Sequence, residues 1–287
     1  MSGTPVLKSV MKAMERIAPV RLAESWDNVG LLLESPIQKK GKKILLTIDL
    51  TSAVLEESLK KDASVIVSYH PTIFRGLKSL TLADPIQTSL LKCAAHGISV
   101  YSPHTALDSV WGGINDWLAE GLMGGKEKGE IRSLLREKLN PTTGASEGGE
   151  CRLVTLKEPI GVDVLEKRIK SHLNLSQIMV GYPLQAQSLT SPVRSIAICA
   201  GSGGSALSGQ EADVYFTGEM QHHEVLAAVA SGKHVILCGH TNTERGYLPV
   251  LAEKLKTEFA SHDYNDQDMG EVEVLISQED RHPLQFV

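Results

Sequence analysis

The sequence is poor in aromatic residues (5%), has only four cysteines and shows no excess of positive charge: 29 Lys and Arg against 34 Asp and Glu give a formal net charge of -5. Without a bulk positive field, direct binding to nucleic acid or to an anionic membrane surface is not expected. Cys93, Cys151, Cys199 and Cys238 lie 39 to 58 residues apart, which fits neither a zinc knuckle nor a dense disulfide framework. That usage points to a reducing compartment, so a cytoplasmic location is expected, with mitochondrial or nuclear fractions left open. No apolar run approaches the ~18 residues needed to span a membrane. Lys8, Lys12, Glu15 and Arg16 interrupt the N-terminal stretch, which therefore lacks the uncharged core of a secretion signal. Its basic, amphipathic character admits a mitochondrial presequence, but Val6, Leu7, Val10, Met11, Met14 and Ile17 also form the buried stripe of an ordinary first helix. Gly (25) and Pro (12) are near average abundance, which excludes a linker-rich chain.

What is present is a globular balance, 42% hydrophobic and 22% charged over 287 residues, enough for two domains. Thr4 and Pro5 open a helix that must end near Ala18, because Pro19 has no amide hydrogen. Residues 43–50 read as a buried strand with Asp49 near its end, 53–61 as a helix and 63–68 as a second strand. A helix over 85–95, closed by Gly97, leads to a strand over 98–101. Such alternation predicts an α/β fold with parallel strands. Residues 121–150 change character: Gly, Ser, Thr and Glu surround a charged segment, 131–139, that reads as helical. This linker or boundary divides the chain into an N-terminal α/β domain, 1–125, and a C-terminal α/β domain, 126–287. Beyond it, a strand over 151–156, a helix over 162–173, a loop over 185–192 and a strand over 195–200 are expected.

An internal echo relates the two halves. ASVIVSYHP (63–71) precedes HGISVYSPHTALD (96–108), and ADVYFTGEMQHH (212–223) precedes GKHVILCGHTNTE (232–244). In each half a strand ending in polar or histidine residues, a helix and a second such strand follow one another, the pattern of a diverged duplication or of two unrelated β-α-β units.

The chemistry concentrates at those strand ends. His240 and Glu244 are four residues apart after an apolar strand, on one face if a helix starts near Thr241; His104 and Asp108 repeat the offset, and His70 is fixed at a corner by Pro71. Imidazoles with carboxylates suit a borderline divalent ion, Zn²⁺, Fe²⁺ or Mn²⁺. The expected ligands are His70, Asp108, His240 and Glu244, with His104 either orienting Asp108 or handling protons. Glu219 and His222 are candidate proton-transfer groups; equally, Glu219 can favour a helix dipole while His222 and His223 lie on the surface. A histidine at a strand end can also simply cap a helix or satisfy a backbone group. GSGGSA (201–206) matches a relaxed dinucleotide-binding pattern, but without a ribose-binding acid a tight turn or small anion nest explains it better. Arg75 and Lys78 can meet a phosphate or keep a loop soluble, and Cys238 reads as a packing residue.

Together, SWDNVGLLLE (25–34), VSYHP (67–71), SPHTALD (102–108), YFTGEMQHHE (215–224) and GHTNTERG (239–246) resemble the NIF3-like family, also called the GTP cyclohydrolase 1 type 2 homologue family. The resemblance implies two intertwined, related α/β domains around a central metal-binding cleft, a compact form without a large middle insertion, and assembly into dimers or a ring-shaped hexamer. The bacterial-type pattern of the family has two adjacent histidines before the proline, then an aspartate, then a histidine and a glutamate four apart. Its ligands fall on His70, Asp108, His240 and Glu244, while the first histidine position is Tyr69. A phenol with a pKa of ~10 is a poor neutral ligand, so one rather than two ions per chain becomes a question. The implied activity is that of a metal-dependent hydrolase acting on a nucleotide or related small molecule, GTP cyclohydrolase-like in form. The alternative is a non-catalytic interaction protein associated with transcriptional regulators.

Overall fold

Thr4 caps the first helix, α1 (Pro5–Ile17): its side-chain oxygen accepts a hydrogen bond from the Leu7 amide at 3.4 Å. In the computed structural model, which describes residues 4–37, 39–183, 191–260 and 272–284, the chain divides into two units, 1–107 with 247–281 and 108–246 with 282–287. From α1 the first unit continues through β1 (Gly30–Leu33), β2 (Lys43–Thr47), α2 (Ser52–Lys60), β3 (Val65–Ser68), α3 (Pro85–Ala95) and β4 (Ser99–Ser102). The short α4 (His104–Ser109) then leads into the second unit, which comprises α5 (Ile114–Met123), β5 (Gly129–Leu139), β6 (Ser146–Gly161), α6 (Val162–Leu173), β7 (Met179–Gly181), β8 (Pro192–Ser202), α7 (Gly204–Leu207), β9 (Val214–Glu219), α8 (His222–Ala230) and β10 (His234–Leu237). The chain finally returns to the first unit as α9 (Leu248–Ala260) and β11 (Glu273–Ile276). No described helix is long and apolar enough to cross a membrane.

The expected α/β character holds in both units. In the first, the strand order is β1-β4-β3-β2-β11, parallel except for β1, and the helices cover a core of Leu45, Val54, Leu55, Ile66, Ile98 and Val100. In the second, the order is β5-β6-β8-β9-β10-β7, with β8, β9 and β10 parallel. The echo in the sequence corresponds to β3-α3-β4 and β9-α8-β10, each a parallel pair joined through a helix. Residues 131–139 do not form the expected helix. They belong to β5, paired antiparallel with β6 through Ile131–Val154 and Ser133–Arg152. Leu, Arg, Glu and Lys favour helices, but Ile131 and Ser133 turn inward while Glu130 and Arg132 face water, and that period of two is decided by pairing rather than by propensity. Of the loop expected over 185–192, residues 185–190 lie outside the described residues, and β8 already begins at Pro192.

Two polar anchors fix segments that carry site residues. In the second unit Arg152, fully buried, sends Nε and Nη2 to the two oxygens of Asp116 (3.0 and 2.7 Å) and donates to the carbonyls of Gly149, Cys151, Ser109 and Val110. Its guanidinium also lies 4.3 Å from the Trp111 ring centre. The backbone immediately after Asp108 is thereby tied to β6. In the first unit Glu57 of α2 accepts bonds from Ser277 Oγ (2.5 Å) and from the amides of Gln278 and Glu279, which pins the returning C-terminal segment. Burial pushes the Glu57 carboxyl up, but the bonds from Ser277, Gln278, Lys61 and Glu279 outweigh it and hold the group below its usual range.

Breaking the first anchor by Asp116→Ala leaves a buried guanidinium without its counter-charge and is expected to cost about 3–5 kcal/mol in urea unfolding. For Glu57 the folded pKa is the lower one, so the unfolded chain binds more protons and stability falls as pH drops below about 4.3. Glu57→Gln should cost about 1–3 kcal/mol at pH 7 and flatten that acid slope, both measurable by urea titration at a series of pH values.

Candidate metal centre

The parallel strands β2, β3 and β4 deliver their following residues to one rim of the first sheet, the C-terminal rim where open α/β sheets hold ligands. Asp49 follows β2, Tyr69 and His70 follow β3, and His104 follows β4 by two residues. His70 Nδ1 lies 2.9 Å from Asp49 Oδ1. His104 Nδ1 lies 2.8 Å from Oδ1 of Asp27, whose side chain is 0% exposed. The other Asp27 oxygen accepts from the Thr105 amide (3.1 Å) and hydroxyl (2.5 Å). Burial raises the Asp27 pKa, but the hydrogen bonds and charge of His104 and the bonds of Thr105 outweigh it, so the carboxyl sits below its usual range and stays ionised.

His104 has a φ of +29°, a conformation that costs a non-glycine residue backbone energy. The bonds to Asp27 and a 3.2 Å bond from the His104 amide to the Tyr69 carbonyl hold it there. Tyr69 is buried and packs its ring edge-on to His104 and tilted against His70, with centroids 5.4 and 5.0 Å away. Trp26 and Phe74 add two further edges to His104 at 6.0 and 6.3 Å.

The second unit repeats the arrangement at the ends of β8, β9 and β10. Glu219 is the last residue of β9, and His240 opens a 3₁₀ turn, His240–Thr243, after β10. His240 stands between two carboxylates, with Nδ1 3.1 Å from Glu219 Oε2 and Nε2 3.4 Å from Glu244 Oε1. Glu244 is only 1% exposed, and such a carboxylate needs a positive or hydrogen-bonding partner to remain charged. Gly201 explains part of GSGGSA: its φ is +64°, and a Cβ there would stand 2.7 Å from Glu244 Oε1 and 2.9 Å from His240 Nε2. The glycine leaves space for that pair, in keeping with a tight turn and not with a nucleotide loop. Thr243 fastens the two segments, accepting from the Gly201 amide at 2.9 Å and donating to the His240 carbonyl at 2.7 Å.

Asp108 sits in α4, where its carbonyl accepts from Asn115 Nδ2 (3.2 Å) while Asn115 Oδ1 accepts from the Ala200 amide near the end of β8 (2.9 Å). Its carboxylate is not among the described donors grouped within 4.8 Å around His240 and Glu244. Glu219 precedes α8 instead of lying in its first turn and is directed at His240; His222 is exposed at the start of α8, its ring 5.5 Å from that of His223. Asp27 and Asp49 had no role in the sequence reading. Asp49 was visible as an acid at a strand end, but its histidine is 21 residues away and that of Asp27 is 77, so neither pairing has a local signal.

Thus His70, His104 and His240 each have Nδ1 against a carboxylate. A ring so held is oriented with Nε2 turned away from that carboxylate, the nitrogen that a metal ligand or a base uses. Nε2 of His240 and a carboxylate oxygen of Glu244 are donors of the kind that borderline divalent ions accept.

Comparison with known proteins identifies the family. The family model described as Duf34/NIF3 (NGG1p interacting factor 3) matches residues 5–283. The chain is 45% identical over 287 residues to the "Protein NIF3 homolog" of Schizosaccharomyces pombe, covering 99% of each chain. It is 34% identical to the "NGG1-interacting factor 3" of Saccharomyces cerevisiae, covering 97% of this chain and 96% of that one. Among solved structures, a Bacillus cereus protein related to NIF3 shares the fold with a TM-score of 0.79 at 19% identity, over 98% of both chains. Reduced HcgD from Methanocaldococcus jannaschii shares it at a TM-score of 0.73 and 22% identity, over 94% of this chain and 96% of that one. With its sequence matched almost from end to end, the chain belongs to the DUF34/NIF3 family.

Proposed function

We propose that this protein is a metal-dependent hydrolase acting on a nucleotide or related small molecule, with a divalent ion taken by His240 and Glu244 together with Asp108. The observation that supports it most is the carboxylate on Nδ1 of each site histidine, which prepares Nε2 for a cation. When bound, the ion supplies an acidified water and polarises the atom under attack. Glu219 keeps the His240 ring in register and can take up its Nδ1 hydrogen. His104, fixed by Asp27, offers Nε2 to a proton in transit, and His222 serves as an exposed proton relay. The GTP cyclohydrolase-like ring opening is the specific form of this reading.

A second reading is favoured by one finding, the description of the budding-yeast relative as an NGG1-interacting factor. On that reading the metal scaffold serves association with a transcriptional regulator, and partner binding survives loss of turnover.

Anaerobic purification with elemental analysis is expected to recover a divalent ion, and a screen of nucleotide hydrolysis should show metal-dependent turnover. Asp108→Asn and His240→Ala should each lower metal affinity at least about tenfold and abolish turnover. A wild type that carries no divalent ion after anaerobic purification, with nucleotide turnover unchanged in Asp108→Asn, contradicts the hydrolase reading and leaves the interaction reading standing. Because an ion on His240 Nε2 displaces any proton there, adding Zn²⁺ or Mn²⁺ in weak buffer should release protons, and affinity should fall with pH. Calorimetry in two buffers of different ionisation enthalpy measures that release.

A further inference from the structure

The metal reading leaves the cysteines unused, yet two of them are neighbours. Strands β6 and β8 run antiparallel with Arg152 opposite Ile198 and Leu153 opposite Ala197, so Cys151 and Cys199 each adjoin the Arg152–Ile198 pair, Cys151 in a left-handed conformation with φ +60°. Both cysteines are free, and their side chains neighbour each other. A disulfide needs Cα atoms ~4.4–6.8 Å apart, a spacing that neighbouring antiparallel strands supply.

We infer that Cys151 and Cys199 form an oxidative modification site, a dithiol that closes to an intrachain disulfide on exposure to hydrogen peroxide. Exposure assigns the roles, since Cys199 is partly exposed and Cys151 is buried. The Cys199 sulfur, having lost its proton, attacks one peroxide oxygen; the O–O bond breaks, a sulfenic acid forms, and the departing hydroxide takes a proton to become water. The Cys151 sulfur then attacks the sulfenic sulfur, the S–S bond forms, and the sulfenic hydroxyl leaves as a second water with the Cys151 proton. Two electrons pass from the sulfurs to the peroxide. The hydrogen bond with Cys199, burial, and the nearby charges of Glu150 and Asp108 keep the Cys151 thiol well above its usual range.

Cys93 and Cys238 provide an internal contrast. Both are buried, and burial pushes each thiol up to about 12. In a reducing compartment a reversible pair of this kind serves redox sensing and not structure. Its position gives it a consequence: two residues beyond Cys199, β8 reaches Gly201, against which His240 and Glu244 pack.

The test is thiol mapping of the full chain after peroxide treatment, with unreacted thiols blocked by N-ethylmaleimide under denaturing conditions and the digest analysed without reduction. One intrachain Cys151–Cys199 link, with Cys93 and Cys238 alkylated, is the expected result, and a parallel sample reduced with dithiothreitol before blocking should show all four thiols free. Cys151→Ser should leave Cys199 as a sulfenic acid that dimedone traps. A link through Cys93 or Cys238, a link between chains, or wild-type Cys199 driven to sulfinic acid beside a free Cys151 overturns the inference. The mapping needs no metal and no turnover, and the wild-type result stands even if the serine variant fails to fold.

Discussion

A histidine ring has two nitrogens, and a carboxylate hydrogen-bonded to one decides what the other can do. This constraint recurs at His70, His104 and His240, paired with Asp49, Asp27 and Glu219. Each carboxylate fixes a ring orientation. Two of the three acids follow or end a strand, so the parallel sheet positions the acid and its histidine together, β2 beside β3 and β9 beside β10. Asp27 is the exception. It lies in a turn before β1 and reaches His104 only because it is buried and also holds Thr105.

That reach is what holds the strained backbone of His104. A non-glycine residue at φ +29° relaxes unless its surroundings fix it from several sides. Asp27 binds its ring and the next residue, the Tyr69 carbonyl receives its amide, and the rings of Tyr69, Trp26 and Phe74 limit its rotation. Gly201 solves the converse problem in the second unit, where a backbone must pass within contact distance of an imidazole and a buried carboxylate. One position accepts strain to aim a ring; the other removes a side chain to make room for one.

Much of this was legible in the sequence because it is local. The helices over 85–95 and 162–173 carry their own boundaries, in Pro85 after Asp84 and in Asn174 at a left-handed cap, and both occur as expected. The pair His240 and Glu244 is read from a four-residue spacing and is met as such in the structure, although a 3₁₀ turn and not an α-helix brings it about. The segment 131–139 is not legible in the same way, because its residues favour a helix singly and only the partner strand β6 reveals its period of two. The acids Asp27 and Asp49, and the nearness of Cys151 to Cys199, depend on contacts across tens of residues, for which a single sequence has no periodic signal.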